Sequence, residues 1–319
     1  MHGEGCELSK QSEARSKKYE KLKKDDTPRH PQILAMMFDE LDVLSRVYDH
    51  ITCNHGYLDA TFSKYIPDIS LQIHNHKYAI TIFTNITSTS DATKAKDLQK
   101  QRDYYHSLGY EPLFFIERSN LAIDIDGHSL VLWASEREAL TTQAADLHWQ
   151  NFLSHLAPPS ELQQLLNVPA TSLDIKSIMY ITPADQSIAI EVFHVMEQAH
   201  TAPPKAYFFS KPYKLTFAQA FKLANETLTL ANMQIEMENQ ARFAEKFKQA
   251  KLAHLEEQNK LEQKRQQQLL EEKNLKEQRR KLSEEKNKIY QESVQNSAYN
   301  RADKAKKMAM LQQAYKTNN

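Results

Sequence analysis

The sequence predicts an α/β head, an appended α+β lobe and a long C-terminal helix. Three patterns carry this. Apolar strand-like segments bracket a helical pattern between about residues 47 and 133. Short strand and helix patterns continue to about 215. After Thr216 the chain contains neither Gly nor Pro, which favours uninterrupted helix. The expected divisions are 1–30, 31–140, 141–215 and 216–319.

Ser9–Lys24 is strongly polar and reads as a surface helix or a disordered segment. Its Lys17, Lys18, Lys21, Lys23 and Lys24 form either a solvated face or a phosphate-contacting one. Asp25-Asp26-Thr27-Pro28 breaks the chain, and Pro31 suits the first turn of a helix reaching about Tyr48. Ile33, Leu34, Met37, Leu41, Leu44 and Val47 give that helix one apolar stripe. Val47–Thr52 and Tyr57–Phe62 are expected as strands around an Asn54-His55-Gly56 turn. Ile69, Leu71 and Ile73 alternate with polar residues, as in a half-buried strand. A tight Asn75-His76 turn leads to Ala79–Phe83, apolar enough for a sheet centre. A helix over about Ala92–Leu108, Gly109 and the strand Leu113–Ile116 follow.

Beyond these, Leu130–Trp133 is strand-like, and His148–Leu156 and Glu161–Leu166 are helical. Ser177–Ile181 and Ser187–Val195 read as a hairpin around Pro183-Ala184-Asp185-Gln186, and Ala206–Phe209 as a further strand. From Thr216 a helix is expected to about Asn296. Its apolar periodicity fades past Leu255. Leu275, Leu282 and Ile289 repeat every seventh residue, but the other heptad seam is polar. Glu256/Lys260, Glu272/Lys276, Glu277/Lys281 and Glu284/Lys288 each add about 0.2–0.5 kcal/mol of helix stability.

The 319 residues carry 41 Lys/Arg and 41 Asp/Glu, but unevenly. Ala241–Asn319 holds 19 Lys/Arg against 11 Asp/Glu, so the preceding 240 residues are acidic. Cys6 and Cys53 form no C-x-x-C pair, no apolar run approaches a membrane span, and the N-terminus is polar. A cytoplasmic protein with no disulfide framework is expected.

Tyr65-Ile66-Pro67-Asp68-Ile69, then Ala79-Ile80-Thr81-Ile82-Phe83, then Arg102, Tyr105 and Gly109, then Leu113-Phe114-Phe115-Ile116 form an ordered set. The set resembles the nuclease-like domain of the competence protein CoiA family. His2-Gly3-Glu4-Gly5-Cys6 and Ser16-x-x-Tyr19-x-x-x-Lys23 are similar to the end of that family's N-terminal module. The resemblance implies a restriction-endonuclease-like (PD-(D/E)xK) core and a chain that begins partway through the module. It also implies a role with incoming single-stranded DNA or recombination proteins in competence.

In such nucleases an Asp opening one strand and a Glu-x-Lys/Gln on the next share Mg²⁺. Asp68 is the matching acid, a catalytic and metal-ligand candidate, but Thr81 and Phe83 stand at the Glu and Lys/Gln positions. Whether the chain is an enzyme is therefore left open. Asp39, Glu40 and Asp42 are candidates for a displaced carboxylate or a solvated face. His55, His74 and His76, and His2 with Cys6, are incomplete zinc-ligand sets. Asp185 with Glu191 imitates the nuclease pattern across a turn too tight to serve it. Lys94, Lys96, Lys100 and Arg102 are the nucleic-acid-binding candidates.

Three functions remain: a non-cleaving nuclease-like protein that binds nucleic acid or a DNA-processing partner, a cytoplasmic scaffold oligomerising through its C-terminal helix, and an active metal-dependent nuclease. Because the ion-paired tail persists without tertiary packing, deleting Glu256–Asn319 is expected to leave the head folded, with a nearly unchanged melting temperature. A head that unfolds on truncation contradicts an independent tail.

Overall fold

The structure is a computed structural model. It describes residues 7–317 apart from 167, 169–172, 185–186, 199–200, 211 and 225–226. His2, Cys6 and Asp185 lie outside the described residues. The chain divides into two compact units, Met1–Ala250 and Lys251–Asn319.

The first unit opens with helices α1 (Glu7–Leu22) and α2 (Arg29–Val47), then strands β1 (Ile51–His55), β2 (Ile69–Ile73) and β3 (His76–Phe83). Helix α3 (Asp91–Ser107) crosses to β4 (Glu111–Glu117), followed by β5 (Ser129–Val131), α4 (Ala134–Glu138), α5 (Ala144–Leu156) and α6 (Pro159–Leu166). A long hairpin, β6 (Lys176–Ala184) and β7 (Ser187–Gln198), precedes β8 (Lys205–Phe208) and β9 (Tyr213–Thr216). A single-turn helix α7 (Phe217–Ala220) and the two-residue strands β10 (Leu223–Ala224) and β11 (Thr227–Leu228) lead to α8 (Met233–Thr317).

The fold is mixed α/β. A nine-stranded sheet runs β1-β2-β3-β4-β6-β7-β8-β5, with β9 also paired to β7. β2 and β3 are antiparallel neighbours, Ile69 opposite Ile80, as their alternation and tight turn require. β4 lies parallel to β3 through the α3 crossover, and β6 lies parallel to β4. The strands of 141–215 therefore extend the same sheet. Central positions are fully buried, Ile80, Ile82 and Leu113–Ile116 among them. Ile33, Met37 and Leu41 bury the apolar stripe of α2 against this core.

Several expected elements differ. Tyr57–Phe62 is not a strand. Gly56 instead begins a 3-10 turn, and its N–H donates to the Asp68 carbonyl at 3.1 Å. A Cβ on Gly56 would lie 2.0 Å from the Pro67 carbonyl oxygen, so this glycine permits close backbone approach and does not close a hairpin. The β2–β3 turn falls one residue early, with His74 at φ 50 and Ile73 opposite His76. The long helix begins at Met233, not Thr216. Phe217, Phe221, Leu228, Leu230 and Ala231 are all buried, and that packing holds the intervening chain in short strands and one helical turn.

The first turn of α8 is fixed by a buried polar network. His194 on β7 lies 2.7 Å (Nδ1) from Asp146 of α5 and 3.1 Å (Nε2) from Glu236 of α8. Trp149 Nε1 donates to Glu236 at 2.7 Å, Tyr213 also donates to Glu236, and Ser177 Oγ donates to Asp146 at 2.9 Å. With a carboxylate at each ring nitrogen, both must donate, which requires the imidazolium. Burial works to lower the His194 pKa, but the two carboxylates outweigh it and raise it to about 9.

A raised folded pKa stabilises below the unfolded value of about 6.5 and loses that stabilisation as pH rises through about 9. Unfolding free energy should therefore fall by on the order of 3 kcal/mol between pH 6.5 and alkaline pH. His194→Asn should lose most of that fall in urea titrations. An unchanged alkaline slope in the variant contradicts the charged-histidine assignment.

Candidate functional site

Asp68 directly precedes β2, and its backbone N–H donates to the Ile80 carbonyl at 2.8 Å, which registers it against β3. Its carboxylate is wholly buried. Tyr19 OH donates to Oδ1 at 2.5 Å, and His30 Nε2 lies 3.1 Å from the same oxygen. Oδ2 accepts from Lys23 Nζ at 2.9 Å and from the Ile82 backbone N–H at 2.6 Å. Tyr19 and Lys23, four residues apart, reach Asp68 from one side of α1 and its C-terminal extension, while His30 comes from the first turn of α2.

The Lys23 ammonium lies 5.7 Å from the centroid of the Phe83 ring and 6.0 Å from that of Tyr19. It also faces Asp26 Oδ2 at 3.6 Å, and His30 Nε2 faces the same oxygen at 3.7 Å. Thr81, 2% exposed, neighbours this cluster on β3. Phe83 therefore places an aromatic face against a lysine supplied by another element. Burial works to raise the Asp68 pKa, but the Lys23 charge and the His30 and Tyr19 hydrogen bonds outweigh it and hold the carboxyl well below its usual range. Burial, reinforced by the Asp68 charge, pushes the Tyr19 phenol far up.

The donor set does not fit Mg²⁺. A carboxylate offers about four lone-pair positions, and four protein donors point at those of Asp68. A divalent ion bound there would sit beside the Lys23 ammonium and require several further oxygens, which Phe83 cannot supply. Among the described residues no group of three His, Cys, Asp or Glu is disposed to hold a metal. His74 stacks on His50 with centroids 4.0 Å apart, and His55 stacks on Phe38 at 3.7 Å. Asp42 pairs with Arg46 on its own helix, so what α2 contributes at Asp68 is His30.

The four basic candidates do not make one surface. At about 100° per residue Lys94 and Arg102 fall on one side of α3, Lys96 and Lys100 on the other. Lys94 donates to the Asn85 carbonyl and lines a groove of about 360 Å³ beside Asp68, together with Lys23, Tyr65 and Thr81. Asp25, Asp26 and Asp97 also line that groove, so its charge is close to balanced. Burial lowers the Lys94 pKa. Arg102 instead pairs with Glu138 at 3.3 Å. Lys96 and Lys100 are exposed, and Lys100 faces Asp97 at 3.7 Å. Glu191, the acid of the second nuclease-like pattern, pairs with Arg118 at 2.6 Å.

Sequence reasoning placed Asp68, Thr81 and Phe83 together but missed Lys23, Tyr19, His30 and Asp26 as their partners. The available signal was the Tyr19-x-x-x-Lys23 spacing. No protein-family model, curated protein or solved structure matches this chain.

Removing Lys23 leaves a buried, uncompensated carboxylate. Lys23→Met should cost about 3–5 kcal/mol at pH 7 in urea unfolding. A depressed carboxyl pKa stabilises above the unfolded value and is lost as pH falls, so the gap between variant and parent should narrow below about pH 4. A gap under about 1 kcal/mol, or one independent of pH, contradicts the pairing.

Proposed function

We propose that the first unit is a nuclease-like module that binds nucleic acid, or a DNA-processing partner, without cutting it. One observation carries this reading: Lys23 Nζ stands 2.9 Å from Asp68, the carboxylate that would have to hold a catalytic cation. Thr81 and Phe83 remove the second carboxylate and the neighbouring Lys or Gln. The helix, antiparallel strands, crossover helix and parallel strand around Asp68 support a PD-(D/E)xK-like core. With that core, the resemblance to the competence protein CoiA family gives the binding a role in DNA uptake and recombination.

The balanced groove beside Asp68 is a poor phosphate trap by itself. The exposed Lys17, Lys18, Lys21 and Lys24, with Lys96 and Lys100, offer phosphate contacts on the first unit. Lys251–Asn319 adds a basic surface, with 16 Lys/Arg against 10 Asp/Glu.

A second reading, a scaffold acting through α8, rests on a different observation. Leu261, Leu275, Leu282 and Ile289 are all exposed and fall at multiples of seven residues. The intervening Gln268 and the polar second seam make any such association weak.

Purified protein should leave single- and double-stranded oligonucleotides intact in Mg²⁺ or Mn²⁺. It should bind them with an affinity whose logarithm falls linearly with the logarithm of salt concentration. Cleavage abolished by Asp68→Ala contradicts the non-cleaving reading. Absence of salt-dependent binding, with concentration-dependent self-association in sedimentation, favours the scaffold.

A further inference from the structure

A second groove, of about 340 Å³, lies in the first unit where the N-terminal part of α8 meets β8. Tyr207, Phe209 and Phe243 give it an aromatic floor, each only 4–7% exposed. Asn239, Arg242 and Lys246 line it from one face of α8, at the spacing that stacks side chains along a helix.

Asn239, Arg242 and Lys246 present donors to the groove, and His128 and Ser210 are further polar side chains of its lining. Asn239 is 6% exposed, and among the described residues its Nδ2 has no acceptor. Its Oδ1 lies 3.5 Å from Arg242 Nη1, at the outer limit of a hydrogen bond. A buried donor left unmade is costly, so an acceptor supplied from outside gains more here than at an exposed amide. Lys246 makes no ion pair among the described residues, whereas Arg242 shares its charge with Glu238 at 3.3 Å.

An aromatic floor beside three donors, two of them cationic, matches one ligand class. We infer that this groove binds a small organic anion with an apolar, ring-sized body, its carboxylate, sulfonate or phosphate oxygen accepting from Asn239 and pairing with Lys246 and Arg242. The apolar body would lie against the part of Tyr207, Phe209 and Phe243 that the groove exposes, and the volume falls within the range of small-molecule sites. A wholly apolar ligand would leave the Asn239 donor unmet, and a bare inorganic anion would make no contact with the aromatic floor. This inference is independent of the nuclease-like reading, because none of these residues contacts Asp68 or the groove beside it.

The test is a fluorescence titration of the full-length chain with anilinonaphthalene sulfonate, which joins a ring body to one anionic group. A single saturable site is expected. Lys246→Glu should weaken it about tenfold, since it places a carboxylate where the anion is held. Asn239→Asp, nearly isosteric, should weaken it similarly by replacing the donor with an acceptor. Lys214→Glu, an exposed charge reversal on β9, should leave affinity unchanged. Acetate, which has no ring body, should compete poorly. Absence of saturable binding overturns the inference. So does equal affinity in the Lys246→Glu and Lys214→Glu proteins, which would mean the dye binds elsewhere.

Discussion

The ion pair between Lys23 and Asp68 is the contact on which the arrangement of the first two helices and the β2–β3 pair depends. Asp68 is fully buried, and an isolated carboxylate there would be untenable. It is tolerated because donors arrive from three separate elements: Tyr19 and Lys23 from α1 and its extension, His30 from α2, and the Ile82 amide from β3. Each donor is also a positional constraint. Gly56 adds to it by donating to the Asp68 carbonyl where no larger residue would fit against Pro67. The carboxylate thus serves as a joint among elements distant in sequence, and the charge that balances it is an ammonium.

The partners of this carboxylate, more than the strands that carry it, decide its chemistry. A strand-opening Asp beside a neighbouring strand is a reusable scaffold, and what it does depends on the groups around it. Here Phe83 gives the lysine an aromatic surface and Thr81 contributes no charge. The same logic recurs at the root of α8, where His194 is held between Asp146 and Glu236. In both places a buried acid is offset by a cation from a different element, which ties that element into the core. Buried pairs of this kind are weak evidence for net stability, but breaking one is expensive, so both act as specifiers of arrangement.

What was legible in the sequence was local. The Ile69–Ile73 alternation and the apolar run ending at Phe83 identified two adjacent strands, and their separation of two residues made them a hairpin. The helix after them was also expected, ending before Gly109, whose φ of 77 suits a helix end. The Asn54-His55-Gly56 run looked like a turn because glycine signals turns, whereas Gly56 is there for contact with Pro67. The parallel pairing of β6 with β4 joins residues more than 60 apart and leaves no local trace. The start of α8 was misplaced because residues 217–231 are good helix formers by composition, and burial of Phe217, Phe221 and Leu230 overrides that preference. At the site, Asp68, Thr81 and Phe83 were legible as a motif. Lys23 and His30 were not, because the ion pair and hydrogen bond they make span 45 and 38 residues.

The central claim is that Asp68 is satisfied by protein donors and does not bind a divalent ion. The most direct measurement follows the isotope-labelled Asp68 carboxyl resonance by nuclear magnetic resonance while pH and Mg²⁺ are varied separately. The account predicts a carboxylate that stays ionised to the acid edge of the folded state and a resonance that does not move as Mg²⁺ is added. A Mg²⁺-dependent shift of that resonance, accompanied by release of Lys23, would contradict it.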